Sequence, residues 1–170
     1  LHAINVSAAD TAFLDRPEHG VTPLDQHLGY QHWYYDWARG DRSFTQIDRA
    51  LAWLEANRPE DEGPTVLNWG DARLGNTMFR DGRPVAVLDW EMAALGAPEV
   101  DLAWAVHLHD FFKDLAVRFE MDPLEDFFPR ERVIATYEEL SGRQVRNYDY
   151  YDVFAAIRYS IVSIRTGETS

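Results

Sequence analysis

The stretch Asn68-Trp69-Gly70-Asp71-Ala72-Arg73-Leu74-Gly75-Asn76, followed by Val85-Ala86-Val87-Leu88-Asp89-Trp90-Glu91, decides how the chain is read. It sets Asp71 and Asn76 on a Gly-containing loop and a further carboxylate, Asp89, at the end of a β-rich run. Thr65-Val66-Leu67 reads as a short strand leading into that loop. Thr77 to Arg80 and Pro84 to Leu88 flank Asp81-Gly82, a dipeptide suited to a tight hairpin turn. Asn76 then stands at the entrance of one strand and Asp89 at the exit of its partner. In a hairpin those ends lie side by side, so two oxygen ligands distant in sequence can share one hard cation. Asp71 sits on the loop that approaches them.

Outside this region the pattern is helical. Ser7 is a candidate cap for a short helix reaching Asp15, ended by Arg16-Pro17-Glu18-His19-Gly20. Thr22, with Pro23 at the first helical position, predicts a helix carrying Leu24, Leu28, Trp33, Tyr34 and Trp37 and stopping at Arg39-Gly40. A second helix is predicted from about Phe44 to Asn57, with Ile47, Leu51 and Leu54 on its apolar face. After Glu91, Pro98 begins a helix expected to reach Asp110, and a short aromatic segment spans Leu124 to Phe128. Further helices are expected over about Glu131 to Leu140 and Tyr148 to Arg165. The last has Val153, Phe154, Ile157, Ile161 and Ile164 on one face. The fold class is therefore α+β, mostly helical, with a small β-hairpin carrying the loops that bear the polar residues. Helical spacing assigns the aromatic cluster Tyr30, Trp33, Tyr34, Tyr35 and Trp37 chiefly to core packing.

Composition narrows the functional classes. A chain of 170 residues, 46% hydrophobic and 14% aromatic, can bury a core and is most simply one domain, residues 1–170. The formal charge of −13 opposes nucleic acid phosphates and anionic lipid heads, and the arginines are scattered among acids, so neither nucleic acid nor a membrane is an expected partner. An acidic surface would instead favour a small, cationic substrate. No apolar run approaches the ~20 residues of a membrane span. Leu1-His2-Ala3-Ile4-Asn5 lacks the regions of a signal peptide, so a cytoplasmic setting is expected. The absence of cysteine excludes disulfides and thiolate metal sites. Oligomeric state is not legible.

The residues from Leu67 to Asn76, together with Val87-Leu88-Asp89-Trp90-Glu91-Met92-Ala93-Ala94-Leu95-Gly96-Ala97-Pro98-Glu99-Val100-Asp101-Leu102-Ala103-Trp104, resemble the aminoglycoside phosphotransferase and choline kinase superfamily. The likeness is to the C-terminal lobe of that protein-kinase-like fold, whose catalytic loop has the same Asp-x-x-x-x-Asn spacing. The resemblance implies an ATP-dependent O-phosphotransferase acting on a small-molecule hydroxyl, an aminoglycoside or related amino alcohol or sugar. It makes Asp71 the catalytic base and Asn76 and Asp89 the Mg²⁺ ligands that hold the ATP phosphates. By the same resemblance Asp101 is a buried brace of the catalytic loop. The acceptor would lie in a groove between C-terminal helices with acidic side chains lining it, and Arg73 would help balance charge near Asp71.

Two departures and one gap accompany the likeness. Trp69 stands where the family usually has His, and Ala97 where it often has Asp. The family's nucleotide-covering lobe, with its Lys and partner Glu, has no counterpart before Leu1; the single lysine, Lys113, follows the motifs. The chain therefore reads as the substrate and metal lobe of a longer kinase. The alternatives are a kinase-like binding module without turnover and, ranked last, a metal-dependent phosphohydrolase.

Overall fold

The computed structural model describes residues 1–6 and 8–166. Ser7, the expected cap of the first helix, lies outside the described residues. The first helix is short, α1 (Ala8–Thr11), and passes into a 3₁₀ turn over Ala12–Leu14.

Local chemistry starts and stops α2 (Pro23–Arg39) where the sequence indicates. The Thr22 hydroxyl accepts from the Asp25 amide at 3.1 Å and the Asp25 carboxylate accepts from the Thr22 amide at 2.9 Å, a reciprocal cap of two otherwise unpaired donors. Glu62 pins the acidic loop to this terminus by accepting from the Thr22 hydroxyl at 2.6 Å and from the Leu24 amide at 3.2 Å. Gly40, at φ +56°, ends the helix. The next helix, α3 (Thr45–Ala56), buries Ile47, Leu51 and Leu54 as its periodicity predicts, and Tyr35 ties α2 to it by donating to Asp48 at 2.8 Å.

Among the described residues the β structure consists of two separate two-stranded sheets. In one, β1 (Val66–Asn68) pairs antiparallel with β4 (Ala94–Gly96), Asn68 opposite Ala94. In the other, β2 (Thr77–Arg80) and β3 (Arg83–Val87) form the expected hairpin, with a bulge at Met78/Phe79. Asp81 and Gly82 have φ of +52° and +72°, both left-handed as a two-residue hairpin turn requires. The β4 strand departs from the sequence reading. Ala94-Leu95-Gly96 has no β-branched residue, and its pairing with β1 is a tertiary event rather than a local preference.

Three further helices follow among the described residues: α4 (Glu99–Arg118), α5 (Arg130–Ser141) and α6 (Tyr148–Thr166). The expected end of α4 at Asp110 is two turns short, because no Gly or Pro interrupts the chain until Pro123. Leu124 to Phe128 forms no helix or strand. Packed against α2, α3 and α4, α6 is the central element. Its Phe154, Ile157, Ile161 and Ile164 are buried among Leu28, Leu54 and Ala103, while Val153 is half-buried. The aromatic stripe of α2 divides between core and surface, with Tyr34 packed against the core and Tyr30 half-buried. Tyr35 is buried, but Trp33 and Trp37 are each 54% exposed and stack along the surface with Tyr34.

His27 of α2 is enclosed beside Phe154, with ring centroids 5.7 Å apart. Burial first, and then the charge of Arg158, push its pKa down to about 4. Between pH 6.5 and 4 the unfolded chain takes up a proton at this ring that the folded chain does not, so its contribution to stability falls as pH drops through that window. The slope is at most about 1.4 kcal/mol per pH unit. Denaturant unfolding at pH 7 and pH 5 should show His27→Gln reducing this acid-side loss relative to the parent. Phe154→Ala should lower unfolding free energy by about 3–5 kcal/mol, whereas Thr22→Ala should cost only about 1 kcal/mol.

Candidate active site

A buried carboxylate on α4 positions the loop between β1 and β2. Asp101, in the first turn of the helix, accepts from the backbone amides of Trp69 at 2.7 Å and Gly70 at 2.8 Å, one on each oxygen. A buried carboxylate requires donors of this kind. His2 adds a third contact at 3.1 Å and reaches the Tyr137 hydroxyl at 3.0 Å with its other ring nitrogen. Gly70 is held so closely that a Cβ would lie 2.0 Å from the Met92 carbonyl oxygen, and its φ of +90° suits glycine alone.

The next residue, Asp71, has its carboxylate oriented from three sides. Trp104 Nε1 donates to one oxygen at 2.8 Å. The other accepts from Asn76 Nδ2 at 2.6 Å and Arg73 Nε at 3.1 Å. Asp101 and Trp104 stand three residues apart on α4, so one helix face supplies both the brace of the loop and a donor to Asp71. Beneath them the Arg158 guanidinium of α6 lies over the Trp104 ring, 4.4 Å from its centroid. Burial pulls the Arg158 pKa down to about 10, while the charges of Asp101 and Asp71 oppose that shift. A cation enclosed in the core thus faces two carboxylates.

Asn76 and Asp89 are brought together by the mouth of the hairpin. The Leu88 amide donates to the Asn76 carbonyl at 2.8 Å, which sets Asp89 one residue beyond the contact. Asn76 is buried and gives its amide nitrogen to Asp71, leaving the amide oxygen as its group suited to a cation. Asp89 is exposed, with φ +56°, a left-handed conformation that Asp tolerates better than most residues. Indoles clasp the strand just before it. Trp69 Nε1 donates to the Leu88 carbonyl at 2.7 Å and Trp90 Nε1 to the Val87 carbonyl at 3.0 Å, with the two rings 6.3 Å apart. Trp69 in place of the family's usual His therefore still presents an N–H, directed at the residue before Asp89.

Among the described residues no group of three or more His, Asp or Glu is arranged to hold a metal ion. Asn76 and Asp89 each carry an oxygen of the type Mg²⁺ takes, a cation that commonly uses one or two protein oxygens and completes its shell with phosphates and water. Beside the loop lies a cavity of about 400 Å³, walled by α4 on one side and by Trp69, Ala72, Arg73 and Leu74 on the other. The expected acidic lining is not present in this cavity: its ionisable side chains are Arg73 and His109.

Trp104, Arg158 and His2 are the site neighbours that sequence reasoning missed. Trp104 carried a usable signal, since it lies at helical i+3 from Asp101 within the same motif. Arg158 and His2 carried none, because both reach the site from distant parts of the chain. Asp101→Ala should strand two buried amides, costing about 1–3 kcal/mol for each. The check is a lowered denaturant midpoint together with faster hydrogen exchange at the Trp69 and Gly70 amides. Trp69→Phe keeps a ring but removes the N–H, so it should cost only about 1 kcal/mol and leave exchange at Gly70 protected.

Comparison with known proteins places the chain in a family. Acyl-CoA dehydrogenase family member 11 of Mus musculus is 34% identical over 122 residues, 65% of this chain and 15% of that protein. The Homo sapiens protein of the same name is 43% identical over 68 residues, 39% of this chain and 9% of that protein. The chain thus matches only a small part of the length of these relatives. Among solved structures, a candidate aminoglycoside phosphotransferase from Ralstonia eutropha superposes with a TM-score of 0.68 at 22% identity, over 91% of this chain and 49% of that one. A macrolide 2'-phosphotransferase type I superposes with a TM-score of 0.59 at 20% identity, over 98% and 50%. These structural matches establish a shared kinase-like fold. The model of the phosphotransferase enzyme family matches residues 1–143, and the chain belongs to that family.

Proposed function

We propose that the chain is the substrate and metal lobe of an ATP-dependent, Mg²⁺-dependent small-molecule O-phosphotransferase working in the cytoplasm, with a nucleotide-covering lobe supplied by other residues. The observation that carries this reading is the Asp71 carboxylate, braced through Asp101 and oriented by Trp104, Asn76 and Arg73, the last of which also lines a cavity of about 400 Å³. A general base needs such fixed orientation more than it needs an unusual pKa.

In the proposed reaction the acceptor hydroxyl gives its proton to Asp71 as its oxygen bonds to the γ-phosphorus of ATP. The bond from that phosphorus to the β–γ bridging oxygen breaks, and ADP leaves. Asn76 and Asp89 would hold Mg²⁺, which when bound neutralises charge on the phosphate oxygens. Arg73, already bonded to Asp71, limits the repulsion between that carboxylate and an incoming phosphate. Phosphoryl transfer depends largely on positioning and electrostatics, and these residues supply both.

ADP release by the full-length protein that contains this sequence provides the test. Asp71→Asn should lower turnover by about 10²–10⁴-fold with little change in the unfolding midpoint. Asp89→Asn and Asn76→Ala should raise the Mg²⁺ concentration needed for half-maximal rate. Turnover of Asp71→Ala at the parent rate would overturn the assignment of the base.

A further inference from the structure

We infer that the cavity beside Asp71 receives the apolar body of the acceptor, so that the acceptor class is a hydroxylated molecule built on an alkyl or cyclic hydrocarbon frame rather than a polycation. The inference rests on the phosphotransferase reading of Asp71 and names the acceptor of that same site.

The walls of the cavity are largely apolar. Leu74, Leu108, Phe112, Phe127 and Phe128 meet there with Trp69, and no carboxylate lines it. Leu74 is 50% exposed, and Phe112 and Phe127 are each 48% exposed, so the site retains uncovered apolar surface that a hydrocarbon body would take from water. Phe127 stacks on Phe128 at 6.1 Å and contacts His109 at 5.7 Å, which makes that wall a continuous aromatic surface. A volume of about 400 Å³ falls within the range of small-molecule sites.

Charge points the same way. The overall charge of −13 acts on long-range encounter, whereas contact specificity depends on the groups in the wall. Arg73 is the charged group in the described lining, and it is already paired with Asp71, so the wall offers a polycation no free carboxylate. Arg73 lines the cavity and donates to the Asp71 carboxylate at 3.1 Å, so the cavity and that carboxylate share one side chain, and an acceptor whose hydroxyl reaches past Arg73 to Asp71 would extend its body toward Leu108 and Phe112.

The test uses the full-length protein and a homologous series: n-butanol, n-hexanol and n-octanol, with kanamycin as the polycation. Binding measured by saturation-transfer NMR should tighten about threefold to fourfold per added methylene. Phe112→Ser and Phe127→Ser should each weaken n-octanol at least severalfold while far-UV circular dichroism stays unchanged. The chain-length series on the parent protein remains decisive should either variant misfold. Affinity independent of chain length, or kanamycin binding more tightly than n-octanol and unaffected by both substitutions, would overturn the inference. ADP release separates the two readings. Release that follows kanamycin but none of the alcohols sinks the apolar acceptor and leaves the phosphotransferase standing. Chain-length-dependent binding with no release from any of the four leaves the apolar site standing and removes the phosphotransferase.

Discussion

Two hydrogen bonds from the Trp69 and Gly70 amides to the buried Asp101 carboxylate join the helical body to the loop that carries Asp71. Each oxygen of the carboxylate takes one amide, so both the height and the rotation of the loop relative to α4 are set. Donors abandoned in a dry interior are costly, so the loop has no cheap alternative position. The close approach of Gly70 to the Met92 carbonyl reinforces this, because it holds the loop against the segment that follows Asp89. The Asp101 contact therefore sets where the loop sits on the helical body, while the Asn76–Asp71 bond and the Leu88–Asn76 bond set the residues within it relative to one another.

Indole N–H groups recur around that contact. Trp69 binds the Leu88 carbonyl, Trp90 the Val87 carbonyl and Trp104 the Asp71 carboxylate. An indole offers one donor and no acceptor on a large apolar ring, so it can satisfy a buried oxygen while filling space. This accounts for Trp69 in the loop motif, since the ring is buried between the Asp71 loop and the hairpin exit and its N–H secures the residue just before Asp89. Arg158 completes the set, its buried guanidinium stacked on the Trp104 ring.

Charge operates at two scales in this molecule. The surface is strongly acidic, yet the cavity next to Asp71 is walled by aromatic and aliphatic side chains with Arg73 at its edge. Long-range field and contact chemistry can favour different ligands, because the first governs encounter and falls with salt while the second governs residence. Net charge suggested a cationic acceptor, and the local walls favour an apolar one.

Much of the architecture was legible in the residues themselves. Thr22-Pro23 and Gly40 bound α2, Asp81-Gly82 turn the hairpin, and the Asp71 to Asn76 spacing with Asp89 marks the loop, because caps, left-handed turns and motif spacing are local properties of the chain. The hydrophobic period of the last helix likewise identified its buried face. Tertiary structure decided what depends on distant partners: that Ala94-Leu95-Gly96 becomes a strand because Val66 to Asn68 pairs with it, and that Trp33 and Trp37 stay at the surface despite helical spacing. It also decided that Trp104, Arg158 and His2 converge on Asp71 and Asp101. The wall of the cavity belongs to this second group, since Leu74, Phe112 and Phe128 lie far apart in sequence and only packing creates the space between them. A sequence records each residue's own preferences, whereas hydrogen-bond partners, enclosed volume and local charge arise only between residues that folding brings together.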